Sequence, residues 1–219
     1  MEMAQSTPAL RDLFTILFKP RETMRRILDA SHRWTIQIVV LACVCAEVSD
    51  FDARFVSEFN SDVKMISVAA VVIAIVIMTA ASWVVILFLL SWIATYVGRL
   101  LGGTGSARDV RAAMAWGIVP IVWSVIYRFP LALYQSRFAV QSQERVREIL
   151  LNFMAHGGCA MIVVLIALNT IFFLWCLFVA GFGLSEAHHF PTDKGFVSLA
   201  ITLALPLLVI GGAVITFRK

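Results

Sequence analysis

The chain has 219 residues, of which 60% are hydrophobic and 15% are charged, and its mean hydropathy is +0.88. A soluble domain carries roughly 25% charged residues because it needs a polar exterior, so this composition excludes a soluble protein and indicates one that lies in lipid. The net charge of +4 is small and evenly spread, which argues against nucleic acid as a partner.

The first 33 residues are predicted to form a cytoplasmic amphipathic segment of short interfacial helices. The first helix is indicated by apolar residues spaced three and four apart, which are Leu10, Leu13, Phe14, Leu17 and Phe18. Pro20 ends this helix, and an apolar face on the next one is formed by Met24, Ile27 and Leu28. Two arrangements fit this pattern: the helices lie on an anionic leaflet, or they cap the bundle from the cytoplasm.

Residues 34–217 are predicted to form an all-α, polytopic membrane helix bundle. A crossing of the ~30 Å hydrocarbon core takes about 20 helical residues. About five transmembrane helices are predicted, at 34–48, 65–97, 112–134, 160–182 and 195–217. Four or six are the alternatives, because the first run has only 15 residues and the second has 33. We favour one long helix over 65–97, since two crossings would have only ~15 residues each.

The distribution of lysine and arginine predicts the orientation, because cytoplasmic loops carry an excess of these residues. Six lysines and arginines precede the first span: Arg11, Lys19, Arg21, Arg25, Arg26 and Arg33. The loop after that span has two, Arg54 and Lys64, and the next loop has Arg99, Arg108 and Arg111. The contrast of six to two predicts that the N-terminus is cytoplasmic.

Two acids and two histidines lie close together in the turn between the last two spans: Glu186, His188, His189 and Asp193. A zinc site needs three or four converging ligands. On a helix, Glu186 and His189 share a face, while His188 points about 100° away from His189. A di-iron site would need a second such pair facing the first. We therefore predict a polar turn that caps two helix ends, with no metal, no cofactor and no catalytic residue.

Cysteines give no evidence of a metal site or a disulfide. All four lie in or beside apolar runs, as Cys43, Cys45, Cys159 and Cys176. The first two are two positions apart, which is not a C-x-x-C spacing, so small buried side chains are expected.

Two ionisable residues inside predicted spans are the stronger candidates for function. Glu47 and Arg128 are costly in lipid, and such residues mark a pathway or a buried pair. In the predicted topology both lie toward the outer ends of their spans, so they either pair with each other or reach the outer interface separately. Pro120 lies within the third span, where proline can kink a helix and release backbone carbonyls.

Three stretches resemble a known family: "LFKPRETMRRILD" before the first span, "LLGGTGSARDVRAAMAWGIVP" entering the third, and "GLSEAHHFPTDKGFVSLAI" between the last two. Together they resemble the Ypt-interacting-protein (YIP) domain family over roughly residues 8 to 216. The family pattern matches Pro20, the glycines 102, 103 and 105, and Pro120, and its G-L-S-x-x-H turn matches Gly183 to His188. The acidic D-L-Y-G-P stretch of members that engage GTPases is not present, so the chain resembles the bacterial branch. The resemblance implies a polytopic inner-membrane protein without an established reaction.

The resulting hypothesis is a non-enzymatic membrane-organising or protein-interaction scaffold in a bacterial inner membrane, with lipids and either other proteins or a second copy as partners. The alternative is a small transporter or lipid-translocating protein that uses Glu47 and Arg128. An intramembrane hydrolase at the His188–His189 turn is a third and weaker hypothesis.

Overall fold

Helices account for nearly all of the chain that the computed structural model describes, which is residues 10–30, 34–58, 65–139 and 158–217. In chain order they are α1 (Leu10–Phe18), α2 (Pro20–Asp29), α3 (Thr35–Glu58), α4 (Met65–Leu100), α5 (Ala107–Gly117), α6 (Val119–Ala139), α7 (Gly158–His188) and α8 (Thr192–Phe217). The predicted all-α membrane bundle is confirmed.

Within these residues, four stretches are long and apolar enough to cross a membrane, judged by length and composition: Val76–Leu100, Ala107–Pro130, Val163–His188 and Thr192–Val209. A shorter apolar helix, Thr35–Ala46, lies where the first span was predicted. Residues 65–97, for which one helix was favoured over two, belong to the single helix α4.

The chain forms two compact units whose boundaries fall inside the long helices. Of the described residues, the first unit contains α1, α2, the start of α3, the second half of α4, α5, the end of α7 and α8. The second unit contains most of α3, the first half of α4, α6 and the beginning of α7.

Helix α5 forms the core of the first unit. Trp116 is fully buried, as are the small residues Ala112, Ala113 and Ala115. Half of the most apolar part of the span Ala107–Pro130 is buried, whereas the buried share of the corresponding part is 11–22% in the other three spans. Small residues allow this burial, because helices in lipid associate by close packing and not by a hydrophobic drive. A Cβ on Gly117, for example, would lie 2.7 Å from the Cβ of Ala180.

Prolines divide the chain at two of the helix boundaries. Pro20 is the first residue of α2, which confirms the predicted break after α1. Pro120 is the second residue of α6, so the predicted span 112–134 consists of two helices, α5 and α6, joined at Ile118. Proline fits the first turn of a helix, where its missing N–H would have no partner. Pro120 therefore starts a helix and does not kink one.

Helix α1 has two apolar faces. One face is buried and contains Leu13 and Ile16, together with the carboxylate of Asp12. The other carries Leu10, Phe14 and Phe18, which are 70%, 55% and 79% exposed and which we call the α1 outer stripe. Helix α2 buries Thr23, Met24 and Ile27. The α1–α2 pair thus packs against the protein with one face, and α1 still presents an apolar surface outward; the leaflet and cytoplasmic placements both stay predictions.

Candidate functional site

Three stretches that are far apart in the sequence meet within the first unit. They are α2, the loop after α4, and the end of α7. Glu186 in α7 contacts two arginines of α2, and His188 two residues later contacts the loop after α4. Met24 of α2 lies against Gly183, where an added Cβ would be 2.8 Å from the methionine methyl.

Helix α4 ends in a Schellman motif, which turns the chain sharply. The N–H of Gly103 donates to the carbonyl of Gly98 at 2.8 Å, and the N–H of Gly102 donates to Arg99 at 3.0 Å. Gly102 has a φ of +89°, a left-handed conformation that favours glycine because it has no Cβ. The turn brings Gly103 and Gly105 back beside Gly98.

His188 occupies the space left by these glycines, and we call Gly98, Gly103 and Gly105 around His188 the histidine cradle. A Cβ on Gly98 would lie 2.1 Å from Nε2 of the imidazole. A Cβ on Gly103 or on Gly105 would lie 2.7 or 2.8 Å from Nδ1. The ring stacks on Phe190, with 5.1 Å between centroids, and the His188 carbonyl accepts from the Thr104 N–H at 3.3 Å. Any side chain on these glycines would displace the ring.

The end of α7 repeats the motif at the end of α4. The N–H of Phe190 donates to the carbonyl of Ser185 at 3.1 Å, and the N–H of His189 donates to Glu186 at 3.3 Å. His189 takes the left-handed position, with a φ of +56°, although it has a Cβ. Its side chain is exposed, while that of His188 is buried. The two adjacent histidines therefore have different environments.

Glu186 joins α7 to α2 through an arrangement that we call the arginine clamp, formed by Arg21, Arg25 and Glu186. The buried carboxylate accepts from Nε of Arg21, from Nε of Arg25 at 3.1 Å, and from Nη2 of Arg25 at 3.3 Å. The two arginines are four residues apart, so they lie on the same face of α2. Charge-assisted bonds of this kind are about twice as strong as neutral ones, and both guanidiniums remain more than half exposed.

A second ion pair fixes α1 on α2. Nη1 of Arg26 lies 2.7 Å from Oδ1 of Asp12, which is buried. The hydroxyl of Thr23 donates to the hydroxyl of Thr15 at 3.1 Å beside it. Burial of an aspartate is costly unless it is paired, so Arg26 is what allows Asp12 to lie on the inner face of α1.

The polar residues of the last turn are thus divided among separate tasks. Glu186 bonds to α2, His188 fills the cradle, His189 lies outside, and Asp193 lies in the first turn of α8. The ring nitrogens of His188 are buried within the cradle. In the part of the chain that the structure describes, no three His, Cys, Asp or Glu side chains come together as a metal would need. The described polar residues of this turn therefore act at helix ends and in packing.

A polar cluster in the second unit contains Arg128. Its Nη2 donates to Oδ1 of Asn169 at 2.5 Å, and the hydroxyl of Tyr127 donates to the same oxygen at 2.9 Å. Asn169 also donates to the carbonyl of Leu165 at 2.9 Å. Glu47 belongs to α3, but its side chain lies outside the described residues, so its pairing with Arg128 stays a prediction. Arg128 is two residues from the end of its span, Ala107–Pro130.

The sequence interpretation missed several of these contacts. Arg21 and Arg25 were counted only as cations that set the orientation, although their spacing of four on an amphipathic helix is a sign of a shared partner. Asn169 went unnoticed, although an amide inside an apolar run is itself unusual. Gly103 and Gly105 entered the sequence interpretation as part of the family pattern, and Gly98 and the histidine that the three glycines enclose were not foreseen.

A model of the Yip1 domain matches residues 14–214 of the chain. The chain belongs to the Yip1 domain family. The matched range includes the arginine clamp and the histidine cradle, so both are features of the Yip1 domain of this protein. Yip1-domain proteins are generally non-enzymatic membrane proteins, and this chain is a multi-pass membrane protein of that family. Comparison with curated proteins and with solved structures returned no match.

The histidine cradle predicts a specific pattern of rescue. Gly98→Ala should cost about 1–3 kcal/mol of stability, because its Cβ overlaps the imidazole. Adding His188→Ala should recover part of that loss, since it removes the overlapping ring. Gly102→Ala is the matched control: its Cβ meets nothing within 4 Å, so its cost of about 1 kcal/mol comes from backbone strain and should not be rescued. Thermal unfolding in detergent measures all four variants, and equal rescue of both glycine variants would contradict the cradle.

The left-handed position of His189 predicts an order of stability. His189→Gly should raise the free energy of unfolding by up to about 1 kcal/mol, because glycine has no Cβ to strain at a positive φ. His189→Val should lower it by about 1–2 kcal/mol, because a β-branched residue is strained there. If valine were tolerated as well as glycine, the Schellman motif would not determine the residue at this position. The same thermal unfolding experiment gives the order.

Proposed function

We propose that this Yip1-domain protein is a membrane-organising or protein-interaction scaffold, without catalytic activity, in the inner membrane of a bacterium. Its partners are membrane lipids and either other proteins or a second copy of the chain. The N-terminus is cytoplasmic in this proposal. The excess of basic residues before the first span, against two in the next loop, supports that orientation.

The observation that carries the proposal is the α1 outer stripe. Leu10, Phe14 and Phe18 recur every four residues, so they follow one side of α1. The opposite face is held by the Arg26–Asp12 ion pair and by the buried Ile16. The stripe is therefore an apolar surface on a helix with a defined orientation. Surfaces of this kind, rimmed by cations such as Arg11 and Lys19, favour docking of another apolar surface.

The arginine clamp supports the same role, because it determines where α1 is held. Binding surfaces that are ordered before contact lose less conformational entropy when a partner binds. The clamp joins α2 to α7 through charges, and the Arg26–Asp12 pair joins α1 to α2. An α1 that is held in this way presents the stripe in one orientation.

A photo-crosslinking residue at Phe18 tests the scaffold in native membranes. We expect adducts of defined mass, either with another protein or at twice the chain mass for a second copy. Glu186→Gln should reduce those adducts several-fold while the protein still inserts, because an amide cannot pair with both arginines and α1 loses its fixed orientation. Mass spectrometry of the adducts provides the measurement.

Ile126 is the matched control position, since it is about as exposed as the stripe and lies in a candidate membrane span. The same probe at Ile126 should react with lipid. Lipid adducts alone at both positions, or protein adducts at Phe18 that do not depend on Glu186, would contradict the proposed role of the stripe.

The alternative function is a transporter or lipid-translocating protein that uses Glu47 and Arg128. The polar cluster of Tyr127, Arg128 and Asn169 favours it, because hydrogen-bonding side chains within apolar helices often line a pathway. In the scaffold proposal the same cluster is structural, and Asn169 is the group that holds the guanidinium.

A double-mutant cycle separates the two functions. Because Arg128 already bonds to Asn169, we expect Glu47→Gln and Arg128→Gln to lower stability by amounts that add within about 0.5 kcal/mol. A double variant that is clearly more stable than the sum of the two single losses predicts would show that the two charges pair. Transport would further require that this double variant, correctly inserted, fails to replace the wild-type protein in cells that lack it.

A further inference from the structure

Arg111 lies in the second turn of α5, and its guanidinium contacts the interior of a membrane span. Its Cζ is 4.0 Å from the centre of the Phe88 ring. Phe88 is near the middle of the span Val76–Leu100 and lies about 18 Å along α4 from Leu100. The sequence places Arg111 among the loop cations, so this position was not foreseen. The structure turns the side chain toward the apolar part of α4.

The charge of Arg111 is incompletely compensated by the residues that the structure describes. A cation–π contact contributes about 0.5–2 kcal/mol, whereas an arginine costs roughly 2.5–3.5 kcal/mol at the centre of a span and less near its ends, and Arg111 is the fifth residue of Ala107–Pro130. Nε of Arg111 is buried without a hydrogen-bond partner, and no carboxylate of the described residues forms an ion pair with the guanidinium. An anion brought from outside the chain would supply the acceptors that the site lacks.

The site is open along an exposed apolar face of α4. Arg111 itself is only partly buried. On α4, Val85, Phe88 and Trp92 are 66%, 41% and 71% exposed, and they follow one another at spacings of three and four, so they share a face. An apolar face of this kind on a spanning helix is covered by acyl chains. An anion that reaches Arg111 along this face therefore has to be part of a lipid.

We propose that Arg111 and Phe88 form a lateral site for the phosphate of an anionic phospholipid, with its acyl chains along Val85 and Trp92. A guanidinium suits this ligand because its planar fork of donors matches two phosphate oxygens. A zwitterionic headgroup fits less well, because it has no net negative charge to compensate the guanidinium. The phosphate bound here lies deeper than a headgroup at the end of α4, so the leaflet is locally thinned.

This inference goes beyond the scaffold proposal and does not depend on the α1 outer stripe. The stripe belongs to α1, and its test uses protein adducts. The lipid site belongs to α4 and α5, and its test uses lipid binding. Either proposal can fail while the other stands.

Lipid titration of the full chain in detergent, followed by native mass spectrometry, tests the site. Wild type should bind phosphatidylglycerol at least about tenfold more tightly than Arg111→Gln, a difference of about 1.4 kcal/mol. Arg111→Lys should be intermediate, since it keeps the charge but loses the planar fork. Wild type should also favour phosphatidylglycerol over phosphatidylcholine, and inorganic phosphate should not compete, because it cannot use the apolar face.

Arg108→Gln is the matched control, since Arg108 is an exposed cation one turn earlier on α5. It should bind phosphatidylglycerol within about twofold of wild type, because a distant exposed charge contributes little. Equal binding by Arg111→Gln and wild type would overturn the proposal. An equal loss in both variants would also overturn it, because the effect would then be one of net charge.

A second measurement on the wild-type protein covers the case in which Arg111→Gln fails to fold. In lipid nanodiscs, modification of Arg111 by a dicarbonyl reagent should be about threefold slower in phosphatidylglycerol than in phosphatidylcholine, because protection follows occupancy. The rate at Arg108 in the same sample provides the reference. Equal rates for Arg111 in the two lipids would overturn the site.

Discussion

The imidazole of His188 lies in a space that exists only because Gly98, Gly103 and Gly105 have no side chains. Much of the first unit follows from this fit. It determines where α4 ends relative to α7, and it places the loop from which α5 starts at Ser106, its N-cap. Gly117 against Ala180 and Gly183 against Ala113 continue the same close approach between α5 and α7. In lipid, where apolar surface alone does not bring helices together, such small-residue contacts carry the association of helices.

Glu186 and His188 connect this packing to the N-terminal helices. They are two residues apart on one helix, hence about 200° apart around its axis, so the same turn of α7 contacts α2 on one side and the glycine loop on the other. The arginine clamp and the histidine cradle therefore share one support. A change that moves the end of α7 should therefore also move α1, α2 and the start of α5. These contacts form a physical connection from the membrane-spanning helices to the α1 outer stripe, the surface of the proposed scaffold function.

Features that depend on local pattern could be predicted from the sequence, and features that depend on distant partners could not. The length of the apolar runs predicts the helices, and Pro20 predicts the break between α1 and α2, because both depend on neighbouring residues. The Glu186 clamp joins residues 161 and 165 positions apart, and no local pattern reports it. Arg111 appears from its neighbours to be a loop cation, but its side chain crosses to Phe88. Pro120 was interpreted as a residue that can kink a helix, whereas it lies in the first turn of α6, because its missing N–H is tolerated there.

The sequence distance across the arginine clamp has a consequence for how the protein is made. Arg21 and Arg25 leave the ribosome long before Glu186 does, since 165 and 161 residues separate them. Throughout most of synthesis these arginines have no carboxylate from α7, so they cannot yet join α2 to the helix that later holds it. Once the end of α7 has been made, the carboxylate of Glu186 can pair with both arginines. The arginine clamp therefore cannot form until nearly the whole chain has been made.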